Sequence, residues 1–301
     1  MLIVSNNFSI FEKMNTTGFL KTIAAFFRLV RVNNLLIIVL TQYMARIFLV
    51  GPKSEWRLYI FDYKQFMLVF ATICIAAAGY IINDYFDIKI DMVNKPREVI
   101  IGRLIKRRWA IVHHQALNFI GIAIGLFLGL KVFLINVFAV SALWFYSERF
   151  KRQAFIGNFL IAFLTAFSLI VLAVYYKQNE MLVNIYALFA FSISLIREII
   201  KDMEDIRGDA RYGCRTLPII WGIRRTKILL YIFIVLFVST LFLMAYSLHN
   251  QYLIMIFSGS IIVFTWLMNK LYWADRKKDF TLLSRICKII MLGGIASMIF
   301  V

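Results

Sequence analysis

Two acidic clusters lie near the ends of otherwise apolar segments of this 301-residue chain. The first contains Asn83, Asp84, Asp87 and Asp91, and the second occupies residues 202–209. Seven of the 16 acidic residues fall in these two short stretches, although 62% of the chain is hydrophobic. Because an acidic side chain at membrane depth is costly, it normally faces a cavity and marks a functional site. The pair of clusters therefore predicts a divalent-metal site for a phosphorylated ligand.

Within each cluster, polar side chains recur at intervals of three or four residues, which places them on one face of a helix. Carboxylate oxygens suit Mg²⁺, which commonly binds through one or two carboxylates together with substrate phosphates. Two facing clusters would hold Mg²⁺ ions that bridge a diphosphate, and no glycine-rich phosphate-binding loop is present to do so instead. The predicted metal ligands are Asn83, Asp87, Asp91, Asp202, Asp205 and Asp209.

A solvated helix end is the alternative interpretation of each cluster, with the carboxylates paired to neighbouring lysines and arginines such as Lys89 and Arg207. Two clusters in matching positions favour the metal site over this alternative. Asp84 and Glu204 lie off the main helix faces and are weaker ligand candidates.

The elements that carry the clusters are predicted to be membrane-spanning helices. The mean hydropathy is +0.79, aromatic residues make up 16% of the chain and only three residues are proline. This composition is typical of a polytopic all-α membrane protein, and we predict a bundle of about nine helices around a central cavity. The predicted spans are 33–50, 67–83, 109–129, 132–147, 156–176, 181–199, 227–247, 252–271 and 281–301, each near the length that a bilayer requires.

The net charge of +18 is concentrated in alternate loops. This is the positive-inside pattern, and it argues against nucleic acid as the partner. It places the N-terminus and both acidic clusters on the cytoplasmic side of a cell membrane.

We predict one domain over residues 1–301, with a cytoplasmic N-terminal segment at 1–27 and no cleaved signal peptide. Three cysteines, Cys74, Cys214 and Cys287, show no metal-binding spacing, and no disulfide is expected.

The cluster-bearing spans are four spans apart, and each is followed by a basic loop and two further spans. A pseudo-repeated bundle would bring both clusters to equivalent positions on one face, aimed at one cavity.

Four stretches of the sequence resemble the motifs of a known family, the UbiA-type intramembrane prenyltransferases. Residues 83–91 fit its N-D-x-x-D-x-x-x-D signature and are followed by N-K-P-R at 94–97. Residues 197–209 resemble its second aspartate motif. Residues 31–34 resemble its R-P-x-N motif, with Val32 in place of proline. Tyr146-Ser147, Lys151 and Gly157-Asn158 resemble its loop between the fourth and fifth helices.

This resemblance implies a nine-helix bundle around a cavity that opens to the cytoplasmic face and to lipid. An isoprenyl diphosphate would bind there through Mg²⁺, with a lipophilic acceptor beside it. The implied catalytic residues are Asp87, Asp91, Asp205 and Asp209. The implied substrate-binding residues are Asn34, Arg97, Arg103, Tyr146, Lys151 and Lys201, with Asn34 in the acceptor pocket.

The implied activity is Mg²⁺-dependent isoprenyl transfer. Residues 197–209 are most similar to the branch of the family that transfers a geranylgeranyl group to geranylgeranylglyceryl phosphate. The family's homogentisate and chlorophyll prenyltransferases have a similar K-D-x-x-D-x-x-G-D string. An aromatic acceptor such as 4-hydroxybenzoate, homogentisate or naphthoate is therefore the alternative.

Two other classes of membrane protein fit the sequence less well. A CDP-alcohol phosphotransferase needs a D-x-x-D-G string, which is absent from the sequence. An ion-coupled transporter often has helices interrupted by glycine or proline at mid-membrane, whereas the spans here are continuous and the acids lie at cytoplasmic ends.

Overall fold

The computed structural model describes residues 21–247, 249 and 251–301, and this part of the chain is almost entirely helical. Nine of its helices are long and apolar enough to cross a membrane. The prediction of an all-α, multi-pass membrane protein is therefore confirmed. These helices are α1 (Val32–Val50), α2 (Tyr63–Asn94), α3 (Arg107–Leu128), α4 (Leu130–Glu148), α5 (Ile156–Tyr176), α6 (Glu180–Arg211), α7 (Gly222–Ser247), α8 (Gln251–Trp273) and α9 (Lys277–Phe300).

The two helices with acidic clusters are longer than the sequence predicts. α2 and α6 each contain 32 residues, whereas the predicted spans end at residues 83 and 199. A 32-residue helix is about 48 Å long, well beyond the roughly 30 Å of a bilayer core. Hydropathy detects only the apolar part of a helix, while backbone hydrogen bonding continues through the polar residues that follow. Both clusters therefore lie within the last turns of continuous helices.

α2 and α6 lie at the centre of the bundle. α2 packs against α3, α4 and α6, and α6 packs against α5, α7 and α9. One apolar core surrounds Ile196 and Ile199 of α6, and another surrounds Ile81 of α2. The outer faces of the remaining helices carry large exposed apolar side chains, as at Phe119 and Ile262, which suit contact with lipid. Direct contact between α2 and α6 is what brings the two clusters together.

The first described residues form a helix at 21–29 that packs onto the bundle. Ala25 and Leu29 of this helix are buried in the same core as Ile81. Arg31 has φ 54° and ψ 55°, the left-handed conformation, and this breaks the chain before α1. The signal-peptide prediction and most of the predicted segment 1–27 fall on residues 1–20, outside the described residues, and the single domain over 1–301 stays a prediction.

Candidate active site

One carboxylate of the first cluster pairs with a lysine from another part of the bundle. Asp87 and Asn83 of α2 are buried. Lys151, in a short turn at Phe150–Arg152 between α4 and α5, donates through Nζ to an oxygen of Asp87 and, at 3.4 Å, to Oδ1 of Asn83. Burial lowers the pKa of Lys151, but the charges of Asp87, Tyr146 and Asp91 and the hydrogen bond to Asp87 together raise it well above its ordinary value. Lys151 is therefore protonated beside the Asp87 carboxylate.

The second cluster receives its cation from the loop that follows α2. Lys95 donates through Nζ to Oδ2 of Asp205 at 3.2 Å and lies 4.0 Å from Glu204. Burial lowers the pKa of Lys95, but the charges of Asp205 and Glu204 raise it above its ordinary value. Oδ1 of Asp205 is buried and has no hydrogen-bond partner in the described part of the chain. Asp205 therefore retains a free acceptor oxygen.

A charged cavity lies between the ends of these helices that carry the acidic clusters. We use this name for the space lined by residues of the helix at 21–29, of α1, α2, α6 and α9, and of the loops beside them. Eight basic and six acidic side chains line it, so cations are in surplus before any ligand binds. The predicted site residues in its lining are Asn34, Asn83, Asp87, Asp91, Arg97, Lys151, Lys201 and Asp205.

An apolar cavity adjoins the charged one inside the bundle. Its wall is mainly aliphatic and aromatic, with Ile75, Leu143, Leu164 and Phe167 among the contributors, and Tyr146 also lines it. Six side chains line both cavities, and we call this set the junction. The junction consists of Arg31, Asn34, Asn83, Arg197, Lys201 and Lys288.

Three of the predicted site residues line neither cavity. Arg103 is exposed, and its guanidinium donates to the carbonyl of Pro96 at 2.6 Å. The carboxylate of Asp202 accepts from Nδ2 of Asn158 on α5 at 2.9 Å. Asp209 is buried near the end of α6. Their predicted roles in metal or substrate binding stay predictions.

The structure adds residues that the predicted site lacks. Lys95 lies four residues after Asp91, the last residue of the first cluster, and Arg31 and Arg197 lie within the motifs themselves. Arg31 pairs with Asp84 at 2.7 Å, and Arg197 pairs with Glu198 at 2.5 Å. Lys288 lies in the middle of α9, and a lysine inside a spanning helix is by itself a signal of function.

The donor set fits magnesium in its chemistry. No three His, Cys, Asp or Glu side chains in the described ranges are grouped closely enough to hold a metal ion. The carboxylates of Asp87, Asp91 and Asp205 nevertheless line one cavity and offer the hard oxygen ligands that Mg²⁺ prefers. The unpartnered Oδ1 of Asp205 would supply one such ligand without breaking any contact. These residues would hold Mg²⁺ together with phosphate oxygens.

Comparison with known proteins decides the family. The sequence model of the UbiA prenyltransferase family matches residues 23–286. The chain belongs to this family. It is a prenyltransferase, as the motifs predict, and not a phosphotransferase or a transporter.

The relatives of this UbiA family member agree with that assignment. The chain is 31% identical over 224 residues to digeranylgeranylglyceryl phosphate synthase of Sulfurisphaera tokodaii, covering 74% of this chain and 78% of that protein. A solved structure described as giving insights into the biosynthesis of digeranylgeranylglyceryl phosphate synthase in membranes is 27% identical. It superposes with a TM-score of 0.72 over 93% of this chain and 99% of that chain.

A third comparison concerns the fold alone. A UbiA homologue from Archaeoglobus fulgidus, solved with GPP and Mg²⁺ bound, has a TM-score of 0.63 at 19% identity. The match covers 92% of this chain and all of that one. The nine-helix arrangement is therefore that of the family.

Proposed function

We propose that this UbiA family member transfers a geranylgeranyl group from geranylgeranyl diphosphate to geranylgeranylglyceryl phosphate in a Mg²⁺-dependent reaction. One observation carries the proposal: a cavity with a surplus of cations opens directly onto an apolar cavity within the bundle. Two amphiphilic substrates with phosphorylated head groups and long apolar chains match these two surfaces. The similarity to the Sulfurisphaera enzyme supports this choice of acceptor.

The donor diphosphate belongs in the charged cavity. When bound, Mg²⁺ would be held by Asp87, Asp91 and Asp205 and would neutralise charge on the leaving diphosphate. Lys151 and Lys95 stand beside these carboxylates and are placed to contact diphosphate oxygens. Fixed cations at this position stabilise the negative charge that grows as the allylic C–O bond breaks.

The isoprenyl chain belongs in the apolar cavity. Breaking of the C–O bond leaves positive charge on the allylic carbon, and the faces of aromatic rings such as Tyr146 stabilise a neighbouring cation. Burial between helices keeps water away from this carbon. The acceptor hydroxyl then forms the new C–O bond and loses its proton, giving an ether and free diphosphate.

The reaction requires the site to face the compartment that holds both substrates. The basic loops beside the charged cavity, including Arg97 and Lys151, suggest a cytoplasmic orientation in the cell membrane.

The test is an incubation of purified protein with Mg²⁺ and radiolabelled geranylgeranyl diphosphate. Geranylgeranylglyceryl phosphate and 4-hydroxybenzoate are offered as separate acceptors, each with an EDTA control. EDTA-sensitive label in the glycerol ether is the expected result. Label in the aromatic product instead would overturn the proposed acceptor and support quinone synthesis. Label in the ether that persists in EDTA would overturn the metal requirement.

A further inference from the structure

Two of the four cations at the junction have an ion-pair partner and two do not. Arg31 is paired with Asp84, and Arg197 with Glu198. For Lys201 and Lys288, no carboxylate oxygen of the described residues lies within 4.0 Å of the ammonium nitrogen. The junction therefore holds two ammonium groups without an ion-pair partner beside an apolar cavity.

Lys288 is the clearer case of a lysine without an ion-pair partner. It lies on α9, a helix that is apolar enough to span a membrane, and its Nζ donates to Oδ1 of Asn34 at 3.0 Å. An ammonium group has three donors, and the structure assigns a partner to one of them. Three further basic side chains, Arg31, Arg197 and Lys201, line the same junction. A partly buried charge in such surroundings is costly unless an anion pairs with it.

The junction differs in composition from the carboxylate end of the charged cavity, and Asn83 is the one predicted metal ligand that belongs to it. Asp87, Asp91 and Asp205 line the charged cavity only, as do their lysine partners Lys95 and Lys151. Lys201 and Lys288 instead line both cavities. An amphiphilic anion bound at the junction would therefore have its charged group next to the charged cavity and its apolar chain in the apolar cavity.

We propose that Lys201 and Lys288 form a subsite for the phosphate group of the acceptor lipid. This inference rests on the proposed function and names the residues that recognise its acceptor. A phosphate monoester carries roughly 1.5 to 2 negative charges at neutral pH, which two ammonium groups neutralise. In geranylgeranylglyceryl phosphate a glycerol unit joins the terminal phosphate to the isoprenyl chain, so a phosphate held at the junction would leave the chain free to enter the apolar cavity.

The experiment measures equilibrium binding of each substrate to the purified full chain, so that it does not depend on turnover. Wild type, Lys288→Met, Lys288→Arg and Lys201→Met are compared with Lys278→Met, a control on the exposed surface of the same helix. The ligands are geranylgeranylglyceryl phosphate, its dephosphorylated alcohol, and geranylgeranyl diphosphate with Mg²⁺.

Lys288→Met and Lys201→Met are expected to weaken binding of the phosphorylated acceptor by about tenfold or more, the usual effect of losing a charge-assisted hydrogen bond. Binding of the alcohol and of the donor should stay at the wild-type level, and Lys288→Arg should restore most of the affinity. The KM for the phosphorylated acceptor should rise in parallel, with the KM for the donor unchanged.

Equal loss of donor and acceptor affinity would overturn the inference, because these lysines would then belong to the diphosphate site. Unchanged acceptor affinity in both methionine variants would overturn it as well, while leaving the proposed function intact. A wild-type protein that binds no geranylgeranylglyceryl phosphate would overturn the proposed function and the subsite together.

Discussion

The backbone nitrogen of Gly208 on α6 lies 2.9 Å from Oδ1 of Asn94, the last residue of α2. Nδ2 of the same Asn94 donates to the carbonyl oxygen of Asp205 at 3.0 Å. One side chain thus joins the end of the first acidic helix to the backbone of the second acidic cluster. We infer that this contact sets the separation of the two clusters across the charged cavity.

Gly208→Ala is expected to reduce transfer by roughly 10- to 100-fold, since small displacements of a reacting group have effects of this size. A Cβ at this position would lie 2.4 Å from Nδ2 of Asn94, which forces the Asn94 side chain away. Alanine is the better helix former, so weaker helix formation would not explain a loss. The measurement is kcat at saturating substrates and Mg²⁺, with the melting temperature as a check on folding.

Gly293→Ala on α9 is the matched control for this variant, because nothing lies within 4 Å of its added Cβ. It should retain wild-type kcat. Wild-type activity in Gly208→Ala would show that the Asn94 contact does not position the clusters.

Asp87→Asn is expected to lower transfer by roughly 100-fold or more, as removal of a group that stabilises transition-state charge does. Asn keeps an oxygen that can accept from Lys151, so the fold should survive, and the measurement is initial rate against Mg²⁺ concentration. Asp84→Asn is the comparison, because Asp84 pairs with Arg31 and lies off the predicted ligand face. An equally severe effect of Asp84→Asn would refute the helix-face argument for the metal ligands.

Lys151→Met should make the protein more dependent on Mg²⁺ for thermal stability than wild type is. Asp87 is buried and pairs with Lys151, and removing the lysine leaves a buried carboxylate without a cation, which is destabilising. Mg²⁺ would then supply the missing charge. The melting temperature in Mg²⁺ minus that in EDTA should exceed the wild-type difference by about 2 °C or more, which corresponds to roughly 1 kcal/mol for a chain of this size.

Lys131→Met, at an exposed position, serves as the charge-matched control for this comparison. A Mg²⁺ response identical to wild type in Lys151→Met would count against metal binding at Asp87.

Cys214 gives a prediction about pH. This buried thiol lies in the loop after α6, and burial raises its pKa from 9.0 to about 11. A raised folded-state pKa means that its stabilising contribution is complete below pH 9 and is lost as the pH rises towards 11. The melting temperature of wild type should therefore fall more steeply between pH 9 and 11 than that of Cys214→Ala. Parallel curves would show that the thiol is not held in its neutral form by burial.

Local sequence signals predict most of the helices and the acidic part of the site. Helical periodicity places Asn83, Asp87 and Asp91 on one face, and hydropathy gives the spans of the described chain to within a few residues, apart from the extended ends of α2 and α6. Motif similarity gives the family. These features depend on neighbouring residues along the chain, so they are encoded in short stretches of sequence.

The tertiary structure alone decides which cation meets which acid and where an unpaired cation remains. Lys151 lies 64 residues from Asp87, and Lys288 lies 254 residues from Asn34. Contacts of this kind depend on how each helix is rotated and which helix it packs against, and no local pattern specifies either. The sequence by itself determined that this protein is an intramembrane prenyltransferase with two acidic helices. Only the packing of α1, α2, α6 and α9 placed Lys201 and Lys288 at the junction, because a cavity between helices exists only once they are assembled.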